Sequence, residues 1–300
     1  MLQHRGMNKL DVAKRAEVLR CLVEGNSIHS TARITGVARN TVTKLLVDAG
    51  RVCSEYQDRV LRNLPCKRLQ LDEIWAFCYA KQKNVPTAKA APEGAGDIWT
   101  WTAICADTKL IPSWYVGDRD VEAAKAFVAD LAGRLAGRVQ VTTDGLKLYV
   151  DAVEEAFGAD VDYAMLVKRY GEAPEAEKRY SPAVCTGCTR ALVTGKPDLA
   201  HVSTSYAERQ NLTMRMGMRR FARLTNAFSK KVENHEASVA LHFMHYNFVR
   251  IHTTLRVTPA MAAKVTDRLW EMEDIAAQVG EADPKPGKRG TYRKKEQIQA

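Results

Sequence analysis

The stretch Leu69-Gln70-Leu71-Asp72-Glu73-Ile74-Trp75-Ala76-Phe77 decides how the rest of the chain is read. Aliphatic, β-branched and aromatic side chains at this density and length predict a strand. Acids have no packing reason to stand inside such a run, so Asp72 is a candidate functional carboxylate. Successive side chains of a strand point to opposite faces, and Glu73 is therefore expected to turn away from whatever Asp72 serves.

Two further acids sit in comparable places. Asp144 follows Val139-Gln140-Val141-Thr142-Thr143 and precedes Gly145, so a strand ends there and a turn begins. Glu208 lies in Ser205-Tyr206-Ala207-Glu208-Arg209-Gln210-Asn211-Leu212, a run of helix formers opened by the capping-type residues Ser203, Thr204 and Ser205. Two strand acids and one helix acid can surround a pair of divalent cations about 3.5–4 Å apart, an arrangement that clamps the attacking and leaving oxygens of a phosphodiester. Such all-oxygen ligation suits Mg2+ or Mn2+, two ions per site. Lone acids at strand ends are common, however, and Asp97, Asp107, Asp118 and Glu122 occur here too. The order of the surrounding elements has to carry the argument.

That order reads as strands over 68–79, 98–106 and 110–117, then a helix from Asp120 to Leu135 whose Val121, Ala124, Phe127, Val128, Leu131 and Leu135 share one face. A short strand at 139–143, a helix at about 146–157, a strand at 161–167 and a long helix from about 204 follow. Three antiparallel strands followed by alternating helix and strand make an α/β fold with a mixed sheet and flanking helices. In it the first and fourth strands can lie side by side and present both aspartates together.

This succession, with acids on the first strand, after the fourth and on the last helix, resembles the ribonuclease H-like core of DDE transposases and retroviral integrases. Asp72-Glu73-Ile74-Trp75 and Thr143-Asp144-Gly145 resemble the first and second aspartate motifs of bacterial insertion-sequence transposases, particularly the insertion-sequence-one type. Glu208-Arg209-Gln210-Asn211 resembles their third-acid helix. Tyr246-Asn247-Phe248-Val249-Arg250-Ile251-His252 with Thr258-Pro259 resembles the tail motif Y-N-x-x-R-x-H…T-P, with Ile251 where many relatives have proline. The resemblance covers roughly 66–262. It implies that Asp72, Asp144 and Glu208 are the catalytic metal ligands and that the partners are an element's terminal inverted repeats and target DNA. Because two ends must be brought together, it also implies at least a dimer.

Charge agrees with a polyanionic partner. The chain carries 45 Lys plus Arg against 35 Asp plus Glu, a net +10, which favours nucleic acid. The excess is local: Arg209, Arg215, Arg219, Arg220, Arg223, Lys230 and Lys231 follow Glu208 with no acid among them. Solvated helix faces normally mix signs, so this block is expected to touch phosphates, with Arg209, Arg215 and Arg219 the foremost candidates. At helical spacing Arg215 and Arg219 share a face with Glu208 and Asn211.

The first fifty residues read as a separate all-α module. Val12, Ala16, Leu19, Leu22 and Val23 line one helical face, Gly25-Asn26 stops that helix, and Ser27 can cap the next. A short helix around Ile28–Ile34 meets a turn at Thr35-Gly36-Val37, and a third helix is expected over about 38–47. The pattern resembles the helix-turn-helix family, with Arg39, Asn40, Thr41, Thr43 and Lys44 at the front of the recognition helix, within reach of base edges. A plain three-helix bundle is the alternative.

These features divide the chain into a helix-turn-helix module (1–50), a linker (51–67), a ribonuclease H-like catalytic domain (68–262) and a C-terminal helix with a basic tail (263–300). From Pro284 the tail holds six basic residues and one acid, the composition of a disordered arm. No run approaches eighteen apolar residues and no signal-type apolar core opens the chain, so a cytoplasmic protein without a membrane partner is expected. Seven cysteines, an odd number, are expected to be reduced thiols. Cys185-Thr186-Gly187-Cys188 could supply half of a structural zinc site, which wants four ligands. With no second C-x-x-C, a turn holding two ordinary thiols is the expectation. Two rival functions remain at this point: a sequence-specific transcription regulator with a non-catalytic core, and a ribonuclease H-like nuclease without strand transfer.

Overall fold

The computed structural model describes residues 9–171, 185–222 and 226–282. Arg223 and the tail from Pro284 lie outside the described residues. In chain order the elements begin with α1 (Val12–Val23), α2 (Ile28–Thr35) and α3 (Arg39–Val60), followed by β1 (Arg68–Cys78), β2 (Gly96–Cys105) and β3 (Trp114–Gly117). Then come α4 (Val121–Ala132), β4 (Val139–Thr143), α5 (Leu148–Phe157), β5 (Val161–Tyr170) and β6 (Cys185–Thr194). The chain continues through α6 (Ser205–Gly217), α7 (Val232–Met244), α8 (Pro259–Ala262) and α9 (Met272–Ala282).

The strands form one mixed sheet in the order β3-β2-β1-β4-β5-β6. β1 runs antiparallel to β2 along its whole length, from Leu69 opposite Cys105 to Cys78 opposite Gly96. Its other edge pairs with β4, in parallel, only over Arg68–Gln70. This is the ribonuclease H-like arrangement: an antiparallel meander, then parallel strands reached through helices. β6, antiparallel to β5 at the sheet's far edge, is an addition that the sequence did not announce. Most of its residues are exposed, so it lacks the apolar alternation that marks a half-buried strand.

Alternation along β1 separates two cores. Leu69 and Leu71 join Trp101, Phe127 and Tyr149 on the side covered by α4 and α5. Ile74, Ala76 and Cys78 join Ala207, Met214 and Phe243 on the side covered by α6 and α7. Asp72 and Gln70 belong by register to the second side. Gln70 uses it: its Oε1 accepts the backbone N–H groups of Tyr206 (2.7 Å) and Ala207 (3.2 Å). Two orphan donors of the first turn of α6 are thereby satisfied from β1, which pins the helix over the strand.

At the N-terminal end, Asp11 caps α1, Ser27 caps α2, and Gly36 ends α2 in the left-handed conformation (φ 71°). The third helix departs from expectation. It does not stop near Val47 but continues to Val60, so position 50 falls in mid-helix. Gly50 suggests a break in sequence, yet its missing Cβ serves packing. A Cβ built there would lie 2.3 Å from the Cα of Ala237, so α3 and α7 touch backbone to backbone. Gln57, buried on the same helix, donates to the carbonyl oxygens of Cys53 (3.1 Å) and Ala240 (3.3 Å).

Candidate active site

Asp72 and Asp144 come together because β4 is shorter than β1. Pairing between them stops at Gln70 and Thr142, so the edge of β1 from Leu71 onward is open, and Asp144, immediately after β4, lies beside it. An oxygen of Asp72, one of Asp144 and one of Glu73 all lie within 4.8 Å of one another. Glu73 does turn to the opposite face, as strand alternation demands. At an open edge, though, a loop acid can approach both faces, so Glu73 joins the cluster it was expected to avoid.

The neighbours of each carboxylate differ. Asp72 Oδ1 accepts from the Glu73 backbone N–H (2.9 Å) and Oδ2 accepts from Asn211 Nδ2 (2.8 Å), both neutral donors. Burial first, then the charges of Glu73 and Asp144, push its carboxyl up to about 7. Glu73 is also raised, by burial and then by Asp144, but Arg119 and Tyr149 oppose this. The Arg119 guanidinium makes two hydrogen bonds to Glu73 Oε1 (2.7 and 2.9 Å) and stacks over Trp99, while Tyr149 donates to Oε2 (3.3 Å). Asp144 Oδ1 accepts from the backbone N–H of Leu146 (2.9 Å), which shapes the turn after β4.

Glu208 stands apart from this cluster. It lies on the first turn of α6, exposed, where its Oε1 accepts from Thr204 Oγ1 (2.5 Å) and is ion-paired with Lys168 of β5. Its charge nevertheless contributes to the upward push on Asp72. Burial pulls the Lys168 ammonium down, and the hydrogen bond and charge of Glu208 outweigh it, leaving Lys168 raised.

The site suits a hard cation on its donor chemistry. Among the described residues it offers carboxylate oxygens, no sulfur or nitrogen ligand, and a buried amide oxygen, Asn211 Oδ1, that has no hydrogen-bond partner. A divalent ion would relieve the mutual repulsion that raises Asp72.

The other candidates are scattered around α6 and α3. Arg39, Asn40, Thr41 and Lys44 are exposed on the first turns of α3, while Thr43 is half-buried and bonds back to the Arg39 carbonyl (3.0 Å). Arg39, Asn40 and Thr43 wall a cavity of about 500 Å³ whose opposite side carries Arg219, Arg220 and Lys230. Arg209 is exposed and Arg215 half-buried on α6. Arg219 does not share their helical face, because α6 ends at Gly217 and Met218 is extended (φ −124°, ψ 104°). Cys185 and Cys188 are exposed at the start of β6 with sulfurs 3.9 Å apart. Among the described residues no third ligand-type side chain gathers with them.

Residues that sequence reasoning missed are those whose role is contact across the fold: Arg119, Tyr149, Lys168, and Asn211 as the donor to Asp72. Asn247 is a different case. It is buried, exchanges hydrogen bonds with both the N–H and the carbonyl of Ile111 (3.0 Å each), and donates to Gln57 Oε1 (3.3 Å). It therefore ties α7's continuation to the β2–β3 connection and to α3. Thr258 caps α8 and Pro259 takes its first position.

No protein-family model matches the chain, and no curated protein sequence does. Among solved structures the chain is similar to the piggyBac transposase synaptic complex with hairpin DNA, at 10% identity and a TM-score of 0.40, over 92% of this chain and 73% of that one. It is also similar to the Mos1 transposase paired-end complex with left transposon end, at 12% identity and a TM-score of 0.22, over 54% of this chain and 61% of that one. Among the described residues no helix is long and apolar enough to cross a membrane.

Proposed function

We propose that the chain is a DDE-type transposase that cuts the ends of an insertion element and joins them to target DNA. The observation that carries this reading is the half-buried Asp72 carboxyl, which among the described residues has no cationic partner, set beside Asp144 at the open edge of the central strand of a ribonuclease H-like sheet. Asp72 and Asp144 would hold the divalent cations, and Glu208 would join them if released from Lys168. When bound, Mg2+ or Mn2+ supplies Lewis-acid stabilisation of phosphodiester oxygens and lowers the pKa of water. Asn211 fixes the orientation of Asp72, and the Leu146 N–H that of Asp144. Asp72 must be deprotonated to act as a ligand. Water hydrolyses the phosphodiester at the element end, leaving a 3′-hydroxyl and a 5′-phosphate. The 3′-hydroxyl, losing its proton, then attacks a target phosphodiester and expels the target strand's 3′-oxygen, which leaves as a hydroxyl, with no protein nucleophile.

In this reading α1–α3 form a helix-turn-helix in which Arg39, Asn40, Thr41, Thr43 and Lys44 read the terminal repeat, and the assembly is at least a dimer because two ends are joined. Arg209, Arg215 and Arg219 contact DNA backbone. The ion pair that holds Glu208 away from the other acids favours the second reading, a DNA-binding regulator with a silent core.

One pair of assays separates them. Metal-dependent nicking of plasmid DNA, abolished by Asp72→Asn, supports an enzyme; no nicking with Mg2+ or Mn2+ leaves the regulator. Joining of a labelled terminal-repeat duplex to plasmid supports the transposase over a simple nuclease.

A further inference from the structure

On the side of α6 away from the acids lies a cavity of about 390 Å³, and none of Asp72, Glu73, Asp144 or Glu208 lines it. Three parts of the chain meet there: the end of α1 (Val23, Glu24), the outer face of α6 (Arg209, Thr213, Met216, Gly217), and the end of α7 with its continuation (His242, His245, Arg250). The meeting is close, since a Cβ on Gly25, a left-handed residue (φ 77°), would lie 3.0 Å from the Gly217 carbonyl oxygen.

His242 is the unexplained residue of this wall. It is 5% exposed, and among the described residues neither ring nitrogen has a hydrogen-bond partner. Leaving both buried and unsatisfied is unfavourable, so a polar occupant is called for. The chain then passes into a π-helical turn over His245–Val249, a distortion that recurs at functional sites. His242 and His245, three residues apart, both line the cavity, and Arg250 follows the turn.

The charges select the occupant. Arg209 and Arg250 are exposed, and among the described residues neither is paired with a carboxylate; Glu24 is the one acid on the wall. Two guanidiniums repel a metal ion and match an oxyanion. Burial and then the Arg250 charge hold His245 down at about 4, and burial, His245 and Arg250 hold His242 at about 3, so an anion is the charge that this corner lacks. Arg209, Thr213 and Arg250 also wall a second cavity, of about 550 Å³, with Lys109 and His252. The second cavity also carries one acid, Asp107, which is paired with Arg68. The two cavities share the Arg209, Thr213 and Arg250 wall, so phosphates bound in each would lie on either side of it.

We propose that this cavity is a phosphate site, in which Arg209 and Arg250 clamp a phosphate group and His242 and His245 hydrogen-bond its remaining oxygens, the phosphate belonging to a nucleic-acid backbone laid over the shared wall. The backbone half rests on the function proposed above; the phosphate site does not. Free inorganic phosphate is the other source of the same chemistry.

The test uses the full chain with histidines labelled at Cε1 and the signals of His242 and His245 assigned by His242→Phe and His245→Gln. Inorganic phosphate is titrated in one arm, and a duplex of unrelated sequence, in EDTA so that no cleavage occurs, in the other. Both should shift the two signals, and Arg250→Gln, at an exposed position, should weaken each at least about tenfold, the loss expected for one charge-assisted contact. Signals unmoved by phosphate, or moved equally in Arg250→Gln, overturn the site. Signals moved by phosphate but not by the duplex overturn the backbone assignment alone. Because neither arm requires cleavage, a failure here is separate from a failure of the nicking assay.

Discussion

Asp72 and Glu73 are consecutive residues of one strand, both drawn out of water, yet the fold treats them oppositely. Glu73 faces a cation, Arg119, and a phenol, Tyr149. Asp72 faces an amide and a backbone N–H, with the like charges of Glu73, Asp144 and Glu208 nearby. A buried carboxylate with its own guanidinium has its charge compensated in part, although burial still leaves Glu73 raised. One surrounded by neutral donors and other acids stays high in energy when ionised, and a bound cation would stabilise it. Position in sequence does not distinguish the two acids. Their company does.

The largest effect that could break this contrast is on activity. Asp72→Asn and Asp144→Asn should each lower metal-dependent nicking by more than about a hundredfold, since even the outer partners of metal ligands are worth about 10–100-fold. DNA binding in EDTA should be unchanged in both. Nicking that survives either change removes that residue from the site.

The next effect is on stability against pH. The folded pKa of Asp72, about 7, lies above its ordinary value of 3.8. The native state therefore binds the proton more tightly than the unfolded one, and stability declines as pH rises from about 4 to about 7. Asp72 contributes a decline on the order of 4 kcal/mol, and Asp72→Asn should remove that part, leaving only the smaller slope from Glu73, which is also raised. Thermal unfolding between pH 4 and 8 without metal measures this. Adding Mg2+ at pH 8 should restore the melting temperature of the native protein and do nothing for Asp72→Asn. Parallel pH profiles for the two proteins would show that Asp72 is compensated after all.

The sequence shows one half of the contrast and conceals the other. Asp72 stands out because an acid is anomalous in so apolar a strand, and Asp144 because Thr143 and Gly145 mark a strand end. The convergence of Glu73 is illegible, because it depends on β4 ending beside Gln70 and leaving the edge of β1 open. Local pattern also misleads at Gly50, a helix breaker by propensity that here admits Ala237, so α3 runs on to Val60. The same limit applies to Arg219, whose helical spacing to Arg215 means nothing once the helix has stopped at Gly217.

Glu73→Gln tests the compensated side. It removes the charge that Arg119 and Tyr149 hold, and because Arg119 is 39% exposed the loss should be modest, about 1–2 kcal/mol, or a melting point lower by a few degrees. Nicking per folded molecule should change little. Lost nicking at an unchanged melting temperature would make Glu73 a metal ligand and dissolve the contrast.

The smallest effect concerns the acid that stands outside the pair. Glu208 is held by Lys168, whose side chain is 26% exposed against 46% for Glu208, and so solvent screens the bond. Pairs of this kind contribute about 0–1 kcal/mol, so Lys168→Gln should leave the melting temperature within about two degrees of the native value. The free energy that held Glu208 to Lys168 becomes available for metal binding. The Mg2+ concentration for half-maximal nicking should therefore fall, by less than about fivefold. A rise in that concentration would mean that Lys168 orients Glu208 toward the metal. A loss of nicking at saturating Mg2+, with metal binding intact, would instead place Lys168 on the DNA, and the ion pair would then be a resting contact that substrate phosphate displaces.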